Sequence, residues 1–163
     1  MIFLTVGTEK YPFDRLIRTL DEAVLRGDIC DEIFCQKGGS GYVPENFNTE
    51  SFISFAKMVD TIKKADVVVS HAGVGTVILC LTLGKVPVIF PRRSEFYEHL
   101  DDHQLEFSEK MASNGQALVA EDEKELVEKI KFYDSLLAKL RRDTGKAKKD
   151  LMTHLRGYID EIS

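Results

Sequence analysis

The sequence predicts an α/β fold: a Rossmann-like parallel sheet with helices on both faces. Short β-rich segments alternate with segments of helical period along the chain, which is typical of βαβ units. The segment DVVVSHA at 66–72 contains three consecutive valines, as expected of a strand that is covered on both faces. With 163 residues, 44% of them hydrophobic and 30% charged, the chain is long enough for one domain that buries its own core.

The first elements predict a β-α-β unit. IFLTVG at 2–7 is rich in β-forming residues and ends in a glycine, and apolar residues recur at helical spacing through 13–27, where Gly27 ends the helix. EIFCQKG at 32–38 predicts the second strand. The connection GGSGYVPENFNTE at 38–50 carries glycine, proline and asparagine, so we expect it to be the most mobile loop.

The central elements continue the alternation. SFISF at 51–55 predicts a short strand, and AKMVDTIKKA at 56–65 predicts a helix that leads into the valine-rich strand. After that strand we expect a helix at 76–83 and then the strand VPVIFP at 86–91.

The last third predicts a helix, a strand and a helical end. DDHQLEFSEKMASNG at 101–115 has an acidic first turn and a terminal glycine, QALVAE at 116–121 follows as the last strand, and 123–142 is mostly helical. We therefore predict one domain over 1–138. The tail at 139–163 has a basic approach and one apolar helical face, which either packs on its own sheet or docks onto a partner.

Charge and cysteine content narrow the class of protein. A formal net charge of −5 argues against a chain whose main task is to bind nucleic-acid phosphates. Cys30, Cys35 and Cys80 form no CxxC pair and predict reduced, structural thiols. The N-terminus lacks a basic segment with a small-residue cleavage site, and no run approaches the roughly 18 apolar residues of a membrane-spanning helix. We therefore expect a cytoplasmic protein.

The segment SHAGVGT at 70–76 stands where the valine-rich strand ends and a helix begins. Ligands of doubly wound sheets bind beyond the carboxyl ends of the strands. Gly73 and Gly75 permit close backbone approach, and Thr76 offers a hydroxyl at the start of the helix. Main-chain amides and the helix dipole would then form an anion site suited to phosphate. His71 faces this site or, alternatively, is structural and caps the turn.

Two common nucleotide-binding patterns are absent. The dinucleotide fingerprint G-x-G-x-x-[G/A] fails because its sixth position is Ile78, and the P-loop fails because Val86 follows the GK pair at 84–85. The sequence therefore disfavours an NAD-dependent oxidoreductase.

A second polar segment, EHLDDHQLE at 98–106, allows two interpretations. His99, Asp102 and His103 could share a metal ion, or an aspartate caps the following helix and leaves His99 in the loop. We favour the cap and expect no metal. Gln104 carries both donors and an acceptor and suits sugar hydroxyls, the alternative being an exposed helical glutamine.

Three segments together resemble one family. TVGTEKYPFDRLI near the N-terminus, ADVVVSHAGVGTVILCLTLGKVPVIFPRR at 65–93 and EHLDDHQLEFSEKM after it resemble the C-terminal, donor-binding domain of family 28 glycosyltransferases. The sequence is most similar to short chains that hold only the donor half of a two-domain GT-B enzyme. These include the soluble subunit of the eukaryotic dolichol-linked GlcNAc transferase and bacterial exopolysaccharide subunits that work with a membrane-associated, acceptor-binding partner.

The resemblance implies a site for a UDP-sugar. It places Gly7 and Thr8 beside the diphosphate, Ser70, His71, Gly73, Gly75 and Thr76 in a second diphosphate-facing turn, Asp102 and Gln104 toward the sugar, and Met58 near the uracil. Many members carry a glutamate that accepts both ribose hydroxyls where this sequence has Leu79, so the ribose contact stays unassigned. Arg92 or Arg93 is a candidate partner for a uronate carboxylate, because arginine binds carboxylates bidentately.

The resemblance also implies a mechanism. We expect an inverting displacement at the anomeric carbon without a metal or other cofactor, since the chain contains no DxD pair. His71 is the candidate catalytic residue, either protonated or as a neutral donor, and the general base is expected on the acceptor side. The chain would then be inactive or nearly inactive alone, and would act on a lipid-linked saccharide through its partner at the inner face of the membrane. The alternative is a non-catalytic nucleotide-binding module. Leu79 in place of the ribose glutamate slightly favours this alternative, whereas the retained segments SHAG, GT and DDHQ together disfavour it.

Overall fold

The computed structural model describes residues 1–100 and 103–142, which form a six-stranded parallel sheet with helices on both faces. The strands are β1 Ile2–Thr5, β2 Ile33–Gln36, β3 Asn48–Glu50, β4 Val67–Ser70, β5 Val88–Ile89 and β6 Leu118–Val119. The helices are α1 Asp14–Leu25, α2 Phe55–Lys64, α3 Val74–Thr82, α4 His103–Ser113 and α5 Glu123–Lys131, with a 3-10 turn at Ser94–Phe96. Residues 133–142 are also helical.

The strand order β3-β2-β1-β4-β5-β6 confirms the predicted fold class. The chain moves outward from β1 to β3, returns to β4 on the other side of β1, and then moves outward again, so the boundary of β1 and β4 is the topological switch point. Thr5 at the end of β1 pairs with Gln36 of β2 and Ser70 of β4. Three polar residues therefore meet at the carboxyl edge of an otherwise apolar sheet centre.

The core consists of apolar layers on the two faces of the sheet. On one face, α1 and α5 pack over side chains from β1, β4 and β5. On the other face, α2 and α3 cover Phe3 and Val68, while α3 and α4 cover Ile89. Every described residue of β1 and β4 is buried, which explains why their sequences are continuous apolar runs.

The prediction of a strand at 51–55 is wrong. The third strand of the chain is β3, which begins three residues earlier, at Asn48. β3 lies at the sheet edge, where one side faces solvent, and its polar sequence carries no period-2 signal. Ser54 caps α2 by accepting a hydrogen bond from the Lys57 amide at 3.2 Å. Ile53 packs against the α2 and α3 core from the loop, which accounts for the apolar pattern.

The connection between β2 and β3 is fastened to α1, which corrects the expectation of a mobile loop. The Asp21 carboxylate, which is buried, accepts hydrogen bonds from the Tyr42 hydroxyl at 2.7 Å and from the Asn46 amide at 2.9 Å. Ser40 Oγ accepts a hydrogen bond from the Phe13 amide at 2.8 Å. These bonds join the loop to the start and the middle of α1.

The described part of the tail closes the fold. Leu140, with Leu136 and Leu137 before it, packs against the apolar layer under α1 and α5. Residues 143–163, which carry most of the predicted docking face, lie outside the described part of the chain. Among the described residues, no helix has the length and apolar character that crossing a bilayer requires.

Candidate functional site

A buried hydrogen-bond network supports the turn that follows β1. The Thr5 hydroxyl donates to Gln36 Oε1, and Gln36 Nε2 donates to the Gly7 carbonyl at 2.9 Å and to the Ser51 carbonyl at 3.2 Å. Thr5 Oγ1 also accepts a hydrogen bond from the Gly7 amide at 3.3 Å. Gly7 has φ of +80°, a value that favours glycine, and Thr8 beside it is exposed. The first predicted diphosphate turn is therefore held from below by side chains at the ends of β1 and β2.

The imidazole ring of His71 lies between Gly7 and Gly73. A Cβ atom on Gly7 would lie 2.5 Å from His71 Cε1, and one on Gly73 would lie 2.7 Å from the same atom and closer still to Nε2. The two glycines thus make room for the ring, a role that the sequence did not indicate. The ring is only 5% exposed and joins the two turns at the switch point of the sheet.

His71 is neutral at physiological pH. Burial lowers the pKa of His71 to about 4, and the positive charge of Arg92 acts in the same direction. The His71 amide donates to the Thr5 carbonyl at 3.3 Å, and the Ser70 hydroxyl donates to the His71 carbonyl at 2.7 Å. Of the two protonation states considered for His71, the structure therefore favours the neutral ring, which can donate one hydrogen bond.

The N-terminus of α3 opens beside His71. The helix begins at Val74, two residues before the predicted start, and Gly73 is its N-cap without any side-chain hydrogen bond. Gly75 is exposed in the first turn, and Thr76 is half-buried. An N-terminus that no side chain caps leaves main-chain amides for an anion, with the helix dipole adding to the attraction. The predicted second turn thus has the geometry of an anion site.

Arg92 lies behind this site and is completely buried. Its guanidinium donates to the Val6 carbonyl at 2.8 Å, to the Tyr11 carbonyl at 2.8 Å and to the Glu98 carbonyl at 3.0 Å, with a longer bond to the Pro12 carbonyl at 3.3 Å. The suggestion that Arg92 pairs with a uronate is therefore wrong, because its guanidinium nitrogens donate to main-chain carbonyls inside the protein.

Arg93 also has partners within the chain. Its Nη2 donates to the Glu121 carbonyl at 2.6 Å, and its Nη1 lies 3.1 Å from Glu95 Oε1. Its side chain is 30% exposed, so only this arginine of the pair reaches solvent.

An ion pair between the half-buried Arg15 and the buried Glu98 anchors the segment between β5 and α4. Arg15 of α1 donates from Nε and Nη2 to the two carboxylate oxygens of Glu98, both at 2.8 Å, and Glu98 also accepts from the Arg93 amide at 3.0 Å. The Glu98 side chain is 5% exposed. Neither Arg15 nor Glu98 was identified from the sequence, because charged residues are rarely buried and nothing in the local pattern distinguishes these two.

Gln104 is linked to the same region. It is half-buried near the start of α4, and its Oε1 accepts a hydrogen bond from the Arg92 amide at 3.3 Å. The Gln104 amide oxygen is therefore bound to the main chain at the end of the β5 segment. Asp102 lies outside the described residues, so neither its predicted sugar contact nor the metal site suggested with His99 and His103 is tested. The His99 ring packs on Tyr11, with 5.7 Å between the ring centroids.

Met58 and Leu79 belong to the apolar layer between α2 and α3. Both are half-buried against the cluster that contains Phe3, Ile62 and Cys80. Leu79 therefore contributes an apolar contact to the layer between α2 and α3. The uracil contact of Met58 stays a prediction.

A cavity of about 660 Å³ lies at the other end of the sheet, lined by residues that include Asp66, Lys85 and Tyr133. These residues lie near the amino ends of the strands, away from the His71 turn. We place the candidate site at the carboxyl edge because the switch point, the glycines and the open helix N-terminus all lie there.

Comparisons with known proteins show what the chain as a whole is similar to. Residues 1–155 match the family model described as the glycosyltransferase family 28 C-terminal domain. The human and mouse proteins named UDP-N-acetylglucosamine transferase subunit ALG13 are 32% and 30% identical to this chain over 123 and 122 residues, or 70% and 69% of its length. The match spans only 10% of the length of each of these relatives.

Solved glycosyltransferases share the fold. The calicheamicin glycosyltransferase CalG4 superposes with a TM-score of 0.60 at 14% identity, covering 99% of this chain and 44% of the larger one. MurG of Acinetobacter baumannii superposes with a TM-score of 0.56 at 20% identity, covering 82% of this chain and 40% of the larger one. At these identities the likeness concerns the fold.

Proposed function

Because this chain belongs to the glycosyltransferase family 28 C-terminal domain family, we propose that it binds the UDP-sugar donor of a glycosyltransferase. The observation that carries the proposal is the arrangement at the switch point, where neutral His71 lies between Gly7 and Gly73 beside the uncapped N-terminus of α3. The printed names of the human and mouse relatives, which describe subunits of a UDP-N-acetylglucosamine transferase, support a nucleotide sugar as the ligand.

The proposed chemistry is an inverting displacement at the anomeric carbon. The bond from that carbon to the diphosphate oxygen breaks while the acceptor hydroxyl attacks, so negative charge collects on the departing UDP. Main-chain amides at the start of α3 would stabilise this charge, because they are oriented before the reaction begins. Neutral His71 would add one donor in the tautomer that carries the ring proton on Nε2. We assign Thr8, Ser70, Gly75 and Thr76 to the same diphosphate turns as further proposed contacts. The base that takes the acceptor proton would come from the acceptor side.

We propose that the acceptor side is a separate, membrane-associated chain. The word subunit in the names of the curated relatives supports a composite enzyme, and the solved neighbours contain about as much chain again beyond the matched part. The complex would work at the cytoplasmic face of the membrane on a lipid-linked saccharide, in polysaccharide or lipid-linked oligosaccharide synthesis. The C-terminal tail at 139–163 is the candidate docking element, and its deletion should abolish association.

Calorimetric titration of the purified chain with UDP tests the donor site. We expect saturable UDP binding, no binding of NAD, and loss of UDP binding in His71→Ala. His71→Gln should keep part of the affinity, because its amide can replace one ring donor. Thermal denaturation of both variants would separate lost binding from lost folding. Absence of UDP binding by the folded chain would contradict the proposal.

A non-catalytic nucleotide-binding module is the second candidate, and the packed Leu79 at the usual ribose position favours it. Sugar transfer distinguishes the two functions. The chain together with its acceptor-binding partner should transfer sugar from a UDP-sugar to a lipid acceptor. UDP binding without transfer by that complex would support the module.

A further inference from the structure

We propose that the buried guanidinium of Arg92 supplies a fixed positive charge that attracts the diphosphate to the turns around His71 without touching it. This inference rests on the proposed donor site and assigns Arg92 as a positioning residue of that site. Four main-chain carbonyls bind the guanidinium from inside the fold, so it does not reach solvent.

The contacts of Arg92 place its charge directly behind the first turn. Nη2 donates to the carbonyl of Val6, the residue immediately before Gly7. Nη1 donates to carbonyls of the loop that leads from Gly7 to α1 and to the Glu98 carbonyl of the loop after β5. The guanidinium therefore joins the segments that flank the site, and its carbon lies 4.8 Å from the Phe13 ring centroid.

Within residues 1–100 and 103–142, the charge of Arg92 has no direct ion-pair partner. Among the described residues, no carboxylate lies within ion-pair distance of its guanidinium, and the Glu98 carboxylate is bound bidentately by Arg15. Its Nε is buried and has no hydrogen-bond partner within the described chain. Burial lowers the pKa of Arg92 while attraction to Glu98 and Glu9 raises it, but an arginine remains charged at neutral pH.

The guanidinium also has a structural role, because its removal would leave four main-chain carbonyls without their donor. Its charge can act on a ligand in addition to this role. The chain as a whole carries a formal net charge of −5, which repels the negatively charged diphosphate of UDP and disfavours its binding. A buried cation beside the switch point opposes that repulsion where the diphosphate would lie.

The test compares UDP with uridine, which lacks the diphosphate, by calorimetry on three variants. Arg92→Met removes the charge and keeps the length, Arg92→Lys keeps the charge and loses the fork, and Arg18→Met removes one exposed charge from α1 as the control. Arg92→Met should lower the preference for UDP over uridine roughly tenfold, the order expected for one unit charge acting a few ångströms beyond contact. Arg18→Met should leave that preference unchanged.

The lysine variant separates charge from structure. Both Arg92 variants lose carbonyl contacts and should melt at lower temperature, but Arg92→Lys should keep the UDP preference within about threefold of the wild type. An unchanged preference in folded Arg92→Met would overturn this inference alone. A tenfold loss in Arg92→Lys would also overturn it, even if the methionine variant does not fold. Failure of the wild-type chain to bind UDP would overturn the donor site as well.

Discussion

Replacing Gly73 with alanine should force the new methyl group into the imidazole ring of His71. The added Cβ would lie 2.7 Å from Cε1 and closer still to Nε2. Backbone strain adds nothing, because φ at Gly73 is −71°. Overpacking of a well-filled site costs about 1–3 kcal/mol, and alanine is a poorer N-cap than glycine by about 0.5–1 kcal/mol. We expect Gly73→Ala to lower the free energy of unfolding by about 1.5–4 kcal/mol.

A double-mutant cycle isolates the contact with the ring. In a His71→Ala background only the capping difference remains, so the same glycine replacement should cost about 0.5–1 kcal/mol. Urea denaturation of the four proteins gives the coupling. Gly75→Ala is the matched control in the first turn of α3, where an added Cβ meets nothing within 4 Å, and should stabilise the chain by about 0.5–1 kcal/mol. An equal cost of Gly73→Ala with and without the imidazole would refute the reasoning.

Two further predictions concern titratable groups. The folded pKa of His71, about 4, lies below the unfolded value of about 6.5, so the unfolded chain binds the proton first and stability should fall by about 3 kcal/mol as pH decreases from 6.5 to 4. His71→Ala should flatten this part of the urea-denaturation pH profile, and an unchanged profile would show that other groups cause it. Burial raises the pKa of Asp21, but hydrogen bonds from Tyr42 and Asn46 have the larger effect and hold that pKa below its ordinary value. The ionised Asp21 carboxylate therefore stabilises the fold, and this stabilisation should be lost as pH falls through the folded pKa. Asp21→Asn should cost about 1–3 kcal/mol in unfolding free energy, whereas the exposed control Asp60→Asn should cost little; similar values for the two would contradict the proposed anchoring of the loop.

The sequence was sufficient for the fold class because the buried strands and amphipathic helices differ in period. The valine run of β4 and the helical spacing of α1 each reflect burial that the final fold retains. The wrong prediction of a strand at 51–55 also arises because apolar sequence reflects burial. Ile53 is apolar because it covers the core from a loop, and β3 is polar because it lies at an edge. A local pattern reports burial but does not distinguish a strand from a loop that packs on the core.

The candidate site was only partly predictable. SHAGVGT indicated a turn and an open helix N-terminus, because glycines and a strand-to-helix boundary are local features. The position of the His71 ring against Gly7 depends on the pairing of β1 with β4, which the sequence around either residue does not show. Arg92 was misassigned to the surface because arginine is rarely buried and its carbonyl partners come from distant segments.

The position of β1 between β2 and β4 determines when the site can form during folding. During synthesis, which starts at the N-terminus, β1 can pair with β2 early. The other edge of β1 stays unpaired until β4 has been synthesised. Pairing of β1 with β4 closes a long loop, and such non-local closure is slow. Gly7 and His71 therefore meet only in this late step. A ligand that contacts both turns would bind only after the step is complete and would slow its reversal, so nucleotide would protect the sheet centre from unfolding more than its edges.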